Sequence, residues 1–173
     1  MEIAGAGYLY TLALVSITYA GFAALFMLFR QDLAGHMAQY DAFLIRGVVQ
    51  KGFIVTGCAM LPPLLAYCEV PEHTIWRISS VVAGLFQLLF LVTWIARRRG
   101  IKNIHTSKWL IGNLVVQLLT ALLLFVGATG KFFPAGPGAY LVGVTLILFL
   151  SGVAYQEALV FLLRGEVKMK PGK

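Results

Sequence analysis

Five apolar runs, at residues 9–29, 47–67, 78–96, 109–128 and 140–163, occupy most of a 173-residue chain and leave short connections between them. Each is long enough to cross a ~30 Å hydrocarbon core as a helix rising ~1.5 Å per residue. In lipid, a segment must satisfy its own backbone polar groups, which restricts such runs to helices. The expected fold is therefore an all-α integral membrane protein, a single domain built as a bundle of five transmembrane helices. Composition agrees: 60% hydrophobic and 12% charged residues with a mean hydropathy of +0.84 lie far from the soluble average of about a quarter charged. The connections have no room for a soluble catalytic domain, so any chemistry belongs inside the membrane.

Orientation follows from charge. With five spans, every Lys and Arg except Arg77 and Lys131 falls on one side, 12 of the 14. The connection RRRGIKNIHTSK is the densest part of that bias, with Arg97, Arg98, Arg99, Lys102 and Lys108 placed to fix topology and meet lipid headgroups. The positive-inside rule then puts the N-terminus outside and the C-terminus in the cytoplasm. The same placement explains the net charge of +7 by anionic lipid rather than nucleic acid. No Lys or Arg precedes Arg30 and the first apolar run exceeds a signal peptide's core, so the N-terminal segment is expected to be retained.

Several local features carry expectations of their own. In the first span Ala13, Ser16, Ala20 and Ala24 recur at helical spacing, which predicts a face of small side chains that another helix approaches closely. Tyr8 and Tyr10 read as interfacial anchors, and so does Trp76 beside Arg77 at the end of the connection CEVPEHTIWR. Residues 32–46 are amphipathic, with Leu33, Met37, Tyr40 and Leu44 on one stripe and Asp32, His36 and Gln39 off it. That segment is an interfacial helix or, preferred here, an extension of the second span capped by Asp32, bending if needed at Gly47 or Gly52. Pro62 and Pro63 should kink or terminate the second span.

Polar residues inside the spans are the candidates for function. Glu157 lies ~10 Å along its helix from Arg164, a depth at which a charge costs at least ~2 kcal/mol unless it is paired, wetted or neutralised. Lys51 enters from the same side to a similar depth, so pairing of Glu157 with Lys51 or Arg46 is geometrically open. Gln156 adjoins Glu157. Asn113, Gln117 and Thr120 share one face of the fourth span, and Gln87 is the amide of the third. Such a face is either a hydrogen-bonding seam between helices, the preferred reading, or the wall of a wet path.

Other chemistry has no footing in the residues. Cys58 and Cys68 lack metal or redox spacing, His36, His73 and His105 are placed in loops, and no nucleophile, phosphate-loop or dinucleotide motif occurs. The expectation is no enzyme activity, no cofactor and no metal. The leading functional expectation is a homo-oligomeric channel for an ion or small solute, with polar residues of the second, fourth and fifth spans along the path. A proton-coupled carrier using Glu157 and a non-transporting accessory or scaffold subunit are the alternatives. The expected setting is a bacterial inner membrane, with the lipid bilayer, anionic lipids included, as the chain's partner.

Overall fold

The computed structural model describes residues 3–34, 39–99, 108–130 and 136–167, with side chains described for 3–29, for Phe43, and for 45–98, 111–130 and 136–156. They form α1 (Ala6–Ala34), α2 (Gln39–Tyr67), α3 (Glu72–Arg99), α4 (Lys108–Thr129) and α5 (Pro137–Val167), with no strand among the described residues. Each helix contains a segment long and apolar enough to cross a membrane: Ala6–Phe29, Ile45–Tyr67, Glu72–Arg98, Ile111–Thr129 and Pro137–Gln156.

Consecutive helices run antiparallel, as their contacts show. Ser16 of α1 meets Thr56 of α2, Gly47 of α2 meets Trp94 of α3, Gln87 of α3 meets Gln117 of α4, and Gly143 of α5 meets Leu124 of α4. Arg46, Arg97 and Arg98 thereby share one end of the bundle, the basic end, while Glu69 and Glu72 lie at the other. The largest core cluster joins α1, α2, α3, α4 and α5 through Leu9, Val55, Trp76, Leu124, Tyr140 and Ile147. Each membrane-length segment buries only 28 to 44% of its residues, with α2 highest. Outward, Leu14, Phe22, Phe53, Leu64, Leu89 and Phe149 are all at least 60% exposed, a surface suited to lipid rather than water.

The small-residue face of α1 is where α2 comes closest. Ala13, Ser16 and Ala20 are buried, and a Cβ added at Gly52 would lie 2.6 Å from the Ala20 Cβ and 3.1 Å from the Ser16 carbonyl oxygen. Gly52 is thus a contact point inside a continuous helix, while Gly47 faces Trp94 with room for a Cβ at 3.7 Å. Neither neighbour of Gly52 is a flexible side-chain tip, so Gly52→Ala should force the helices apart and cost about 1–3 kcal/mol. Thermal unfolding of the purified protein checks this, and Ala20→Gly should return part of the loss; a double variant no better than Gly52→Ala would refute the contact.

Three boundaries bear on the sequence expectations. First, α1 runs on to Ala34, so Asp32 lies within α1 and does not cap α2. The extension of the second span covers residues 39–46 of the segment, and residues 35–38 lie outside the described residues. Second, α2 ends at Tyr67, as expected, and passes through Pro62 and Pro63 without terminating at them. Third, α3 begins at Glu72, six residues ahead of the expected start at residue 78, because Pro71 supplies the first accepting carbonyl to Thr74 and Ile75 and Glu72 complements the helix N-terminus. Trp76 therefore falls in the second turn and is 2% exposed, packed on Tyr140, so it is a core residue and not an interfacial anchor. His73 likewise lies in the first turn of α3 and not in a loop.

The reversal between α2 and α3 takes four residues. Glu69 adopts φ 57°, its N–H bonds the Ala66 carbonyl, and the Val70 N–H reaches back to Leu65. This is a Schellman closure with Leu65 and Val70 on the core side, built on a glutamate where glycine is usual.

Candidate functional site

Lys51 is the charged side chain placed deepest among the described residues. It follows from the helix packing: Gly52 must face α1 and Gly47 must face α3, which turns Lys51, one turn from Gly47, toward the interior. Its side chain is 3% exposed, its Nζ lies 5.0 Å from the centroid of the Phe90 ring on α3, and it has no hydrogen-bond partner among the described residues. An ammonium offers three donors, and a ring face answers only part of its charge. Side chains on a helix lean toward its N-terminus, so the Lys51 stem runs toward the basic end.

The amides form a chain across α3 and α4. Gln87 Nε2 donates to Gln117 Oε1 at 3.2 Å, and Gln117 Nε2 donates to Asn113 Oδ1 at 2.7 Å. Thr120 is buried and donates to the Val116 carbonyl at 2.8 Å. Gln87 Oε1 is buried without a partner among the described residues, as are the hydroxyls of Ser79 and Ser151. The polar residues of α3 and α4 thus face each other inside the bundle.

Aromatic rings pack at the level of Lys51 and toward the basic end. Tyr19 and Tyr155 pack edge to face at 5.3 Å, Phe26 meets Tyr155 at 6.5 Å, and Phe43 meets Trp94 at 5.3 Å. Tyr19 donates to the Ser151 carbonyl at 3.0 Å, which ties α1 to α5. Arg98 sits 5.7 Å from the Trp94 ring, and Arg97 donates to Gln50 Oε1 at 2.9 Å. Arg46 and Gln156 are exposed and take no part in the interior. The side chains of Glu157, Arg99, Lys102 and Lys108 lie outside the described residues, and with them any pairing of Glu157 with Lys51 or Arg46.

The half of the bundle away from the basic end holds both cysteines and two spaces. Cys58 is buried and Cys68 exposed. A cavity of about 390 Å³ between α1 and α2 is lined by Ile3, Tyr10, Pro63, Ala66 and Tyr67, and a groove of about 370 Å³ between α1 and α5 by Tyr8, Leu141 and Thr145. Tyr8 bonds Thr145 Oγ1 at 2.7 Å across that groove; Thr145 gives its own proton to Leu141, so Tyr8 is the donor. Neither space is lined by Lys51 or the amides. No cluster of three or more His, Cys, Asp or Glu side chains that could hold a metal occurs among the described residues.

Phe90, Ser151 and the pair Tyr19 and Tyr155 had no signal in the sequence beyond being ordinary members of apolar helices. Tyr140 had one: Pro62 has no N–H, so the Cys58 carbonyl four residues earlier needs another donor, and the Tyr140 hydroxyl supplies it. Comparison with protein-family models, curated proteins and solved structures finds no match to this chain.

Proposed function

We propose that this chain moves a small solute or ion across a bacterial inner membrane, with its N-terminus outside and its C-terminus cytoplasmic, and that the moving species is handled inside one bundle. The observation that supports this is Lys51: a cation 3% exposed, with no hydrogen-bond partner among the described residues. Intramembrane charges are expensive and are kept where they serve a path or a site. Gln87, Gln117 and Thr120 are buried with it rather than spread on the lipid-facing surface. A channel along an axis between subunits needs its polar lining on the outside of each bundle, so burial of these residues favours a carrier over the homo-oligomeric channel. Glu157 remains the candidate for proton coupling. The bonded amides Gln87, Gln117 and Asn113 are the observation that favours the other reading, an accessory subunit whose polar groups join helices.

Two measurements test the proposal. In proteoliposomes assayed by capacitive current with phosphate, succinate, potassium and ammonium in turn, one species should give a saturable signal that a pH gradient drives and Glu157→Gln uncouples. No current with any of them, together with copurification of a larger partner, would leave the accessory role. For orientation, an impermeant maleimide applied to intact cells should label the exposed Cys68 and not the buried Cys58; labelling only after lysis reverses the assignment of sides.

A further inference from the structure

We infer that Lys51 anchors a binding site for a small anion, a carboxylate or phosphate group, reached from the basic end of the bundle. The inference deepens the transport proposal by naming the cargo's chemistry, but binding is read apart from flux. A cation removed from water needs a countercharge. Among the residues whose side chains are described the acids are Glu69 and Glu72, and both sit at the opposite end of the bundle, so neither answers Lys51. Among the described residues the three ammonium donors are open apart from the Phe90 ring.

The surroundings suit an anion that arrives rather than one built in. Arg46, Arg97 and Arg98 stand at the basic end on the two helices that hold Lys51 and Phe90, and clustered positive charge raises the local concentration of anions. The Trp94 ring, one turn from Phe90 on α3 and against Gly47, lies on the basic side of Lys51. One turn along α3 from Phe90, Gln87 holds an open acceptor, Oε1. An anion that also carries a donor, as a hydroxy acid or a protonated phosphate does, meets both needs. Glu157 is the internal competitor, and the test is arranged to separate it.

The full-length protein, reconstituted in phosphatidylcholine nanodiscs, is melted while tryptophan fluorescence is followed, with potassium phosphate or sodium succinate against chloride at equal ionic strength. A ligand at ~100 times its dissociation constant raises the ratio of folded to unfolded protein about 100-fold, which is a clear upward shift in midpoint. Phosphate or succinate is expected to give that shift in the wild type, and Lys51→Met and Lys51→Gln are expected to lose it. A second set of discs containing phosphatidylglycerol decides the source: a shift from the lipid, with none added by the free anions, identifies a headgroup phosphate and supports the site. A wild type indifferent to all three anions, or an equal shift in both Lys51 variants, overturns the inference. A wild type that is indifferent while Glu157→Gln gains the shift overturns it too and assigns the countercharge to Glu157. Anion binding without flux leaves the site and removes the transport proposal; flux without an anion effect does the reverse.

Discussion

Lys51→Met is expected to raise the stability of the protein in the absence of added anions, by about 1–4 kcal/mol. Lys51 has an almost fully enclosed ammonium, answered among the described residues by one aromatic face. Methionine has similar length and fills the same space beside Phe90 without a charge to desolvate. A chain of this size moves its midpoint by about 2–4 °C per kcal/mol, so the gain is readable in a thermal scan. The sign carries the information. If Lys51 were neutralised by Glu157, methionine would strand a buried carboxylate, and the variant would lose about 3–5 kcal/mol instead. A residue whose removal stabilises the fold is one held for a purpose other than folding, as happens where stability and activity compete. A destabilised Lys51→Met would make the lysine a structural strut.

Tyr140→Phe is expected to destabilise the protein by about 1–3 kcal/mol, the cost of leaving a buried acceptor without its donor. The hydroxyl bonds the Cys58 carbonyl, which Pro62 leaves without a helical N–H, and the ring stays packed on Trp76 in either residue. The loss should therefore depend on the proline. In a Pro62→Ala background the restored N–H can bond Cys58, and Tyr140→Phe should cost much less; neighbours that share a partner show coupling of about 0.5–3 kcal/mol. Unfolding midpoints of the four proteins in the cycle give that number directly. Equal losses in both backgrounds would mean that Tyr140 acts through packing alone. The same contact supports α2 as it continues past Pro62, where the sequence suggests an end: α5 supplies at Cys58 what the helix lacks.

Much of the architecture was legible because it is written locally. The five membrane-length segments follow hydropathy, and the α1 face of Ala13, Ser16 and Ala20 follows small-residue spacing, which fixes how closely α2 can lie. The basic end was legible from the distribution of Lys and Arg. Errors fell where polar letters hid helix. The sequence EHT at 72–74 reads as loop, yet Pro71 and Glu72 are good residues for a helix start, and this displaced Trp76 from an interface to the core. Asp32 reads as the cap of a second helix, although α1 ends only at Ala34. At the candidate site, the residue types were visible in the sequence: Lys51, Gln87 and Gln117 stand out against apolar neighbours. Their relations were not. Gln87 and Gln117 are 30 positions apart, and Phe90 beside Lys51 is one phenylalanine among 12.

The sequence by itself determined how many helices form, roughly where each lies and which end of the bundle is basic, since these depend on the transfer of whole segments from water and on the sum of charges in short connections. Only the tertiary structure decided which polar groups meet: the amide of Gln87 with that of Gln117, the hydroxyl of Tyr140 with the carbonyl of Cys58, the ammonium of Lys51 with the face of Phe90. The physical reason is rotation. A helix apolar all around has no strong preference written along it for which face turns inward. Its rotation about its own axis is set by close packing at a few small residues such as Gly52 and Gly143, and that packing turns Lys51 into the bundle and leaves Arg46 outside it.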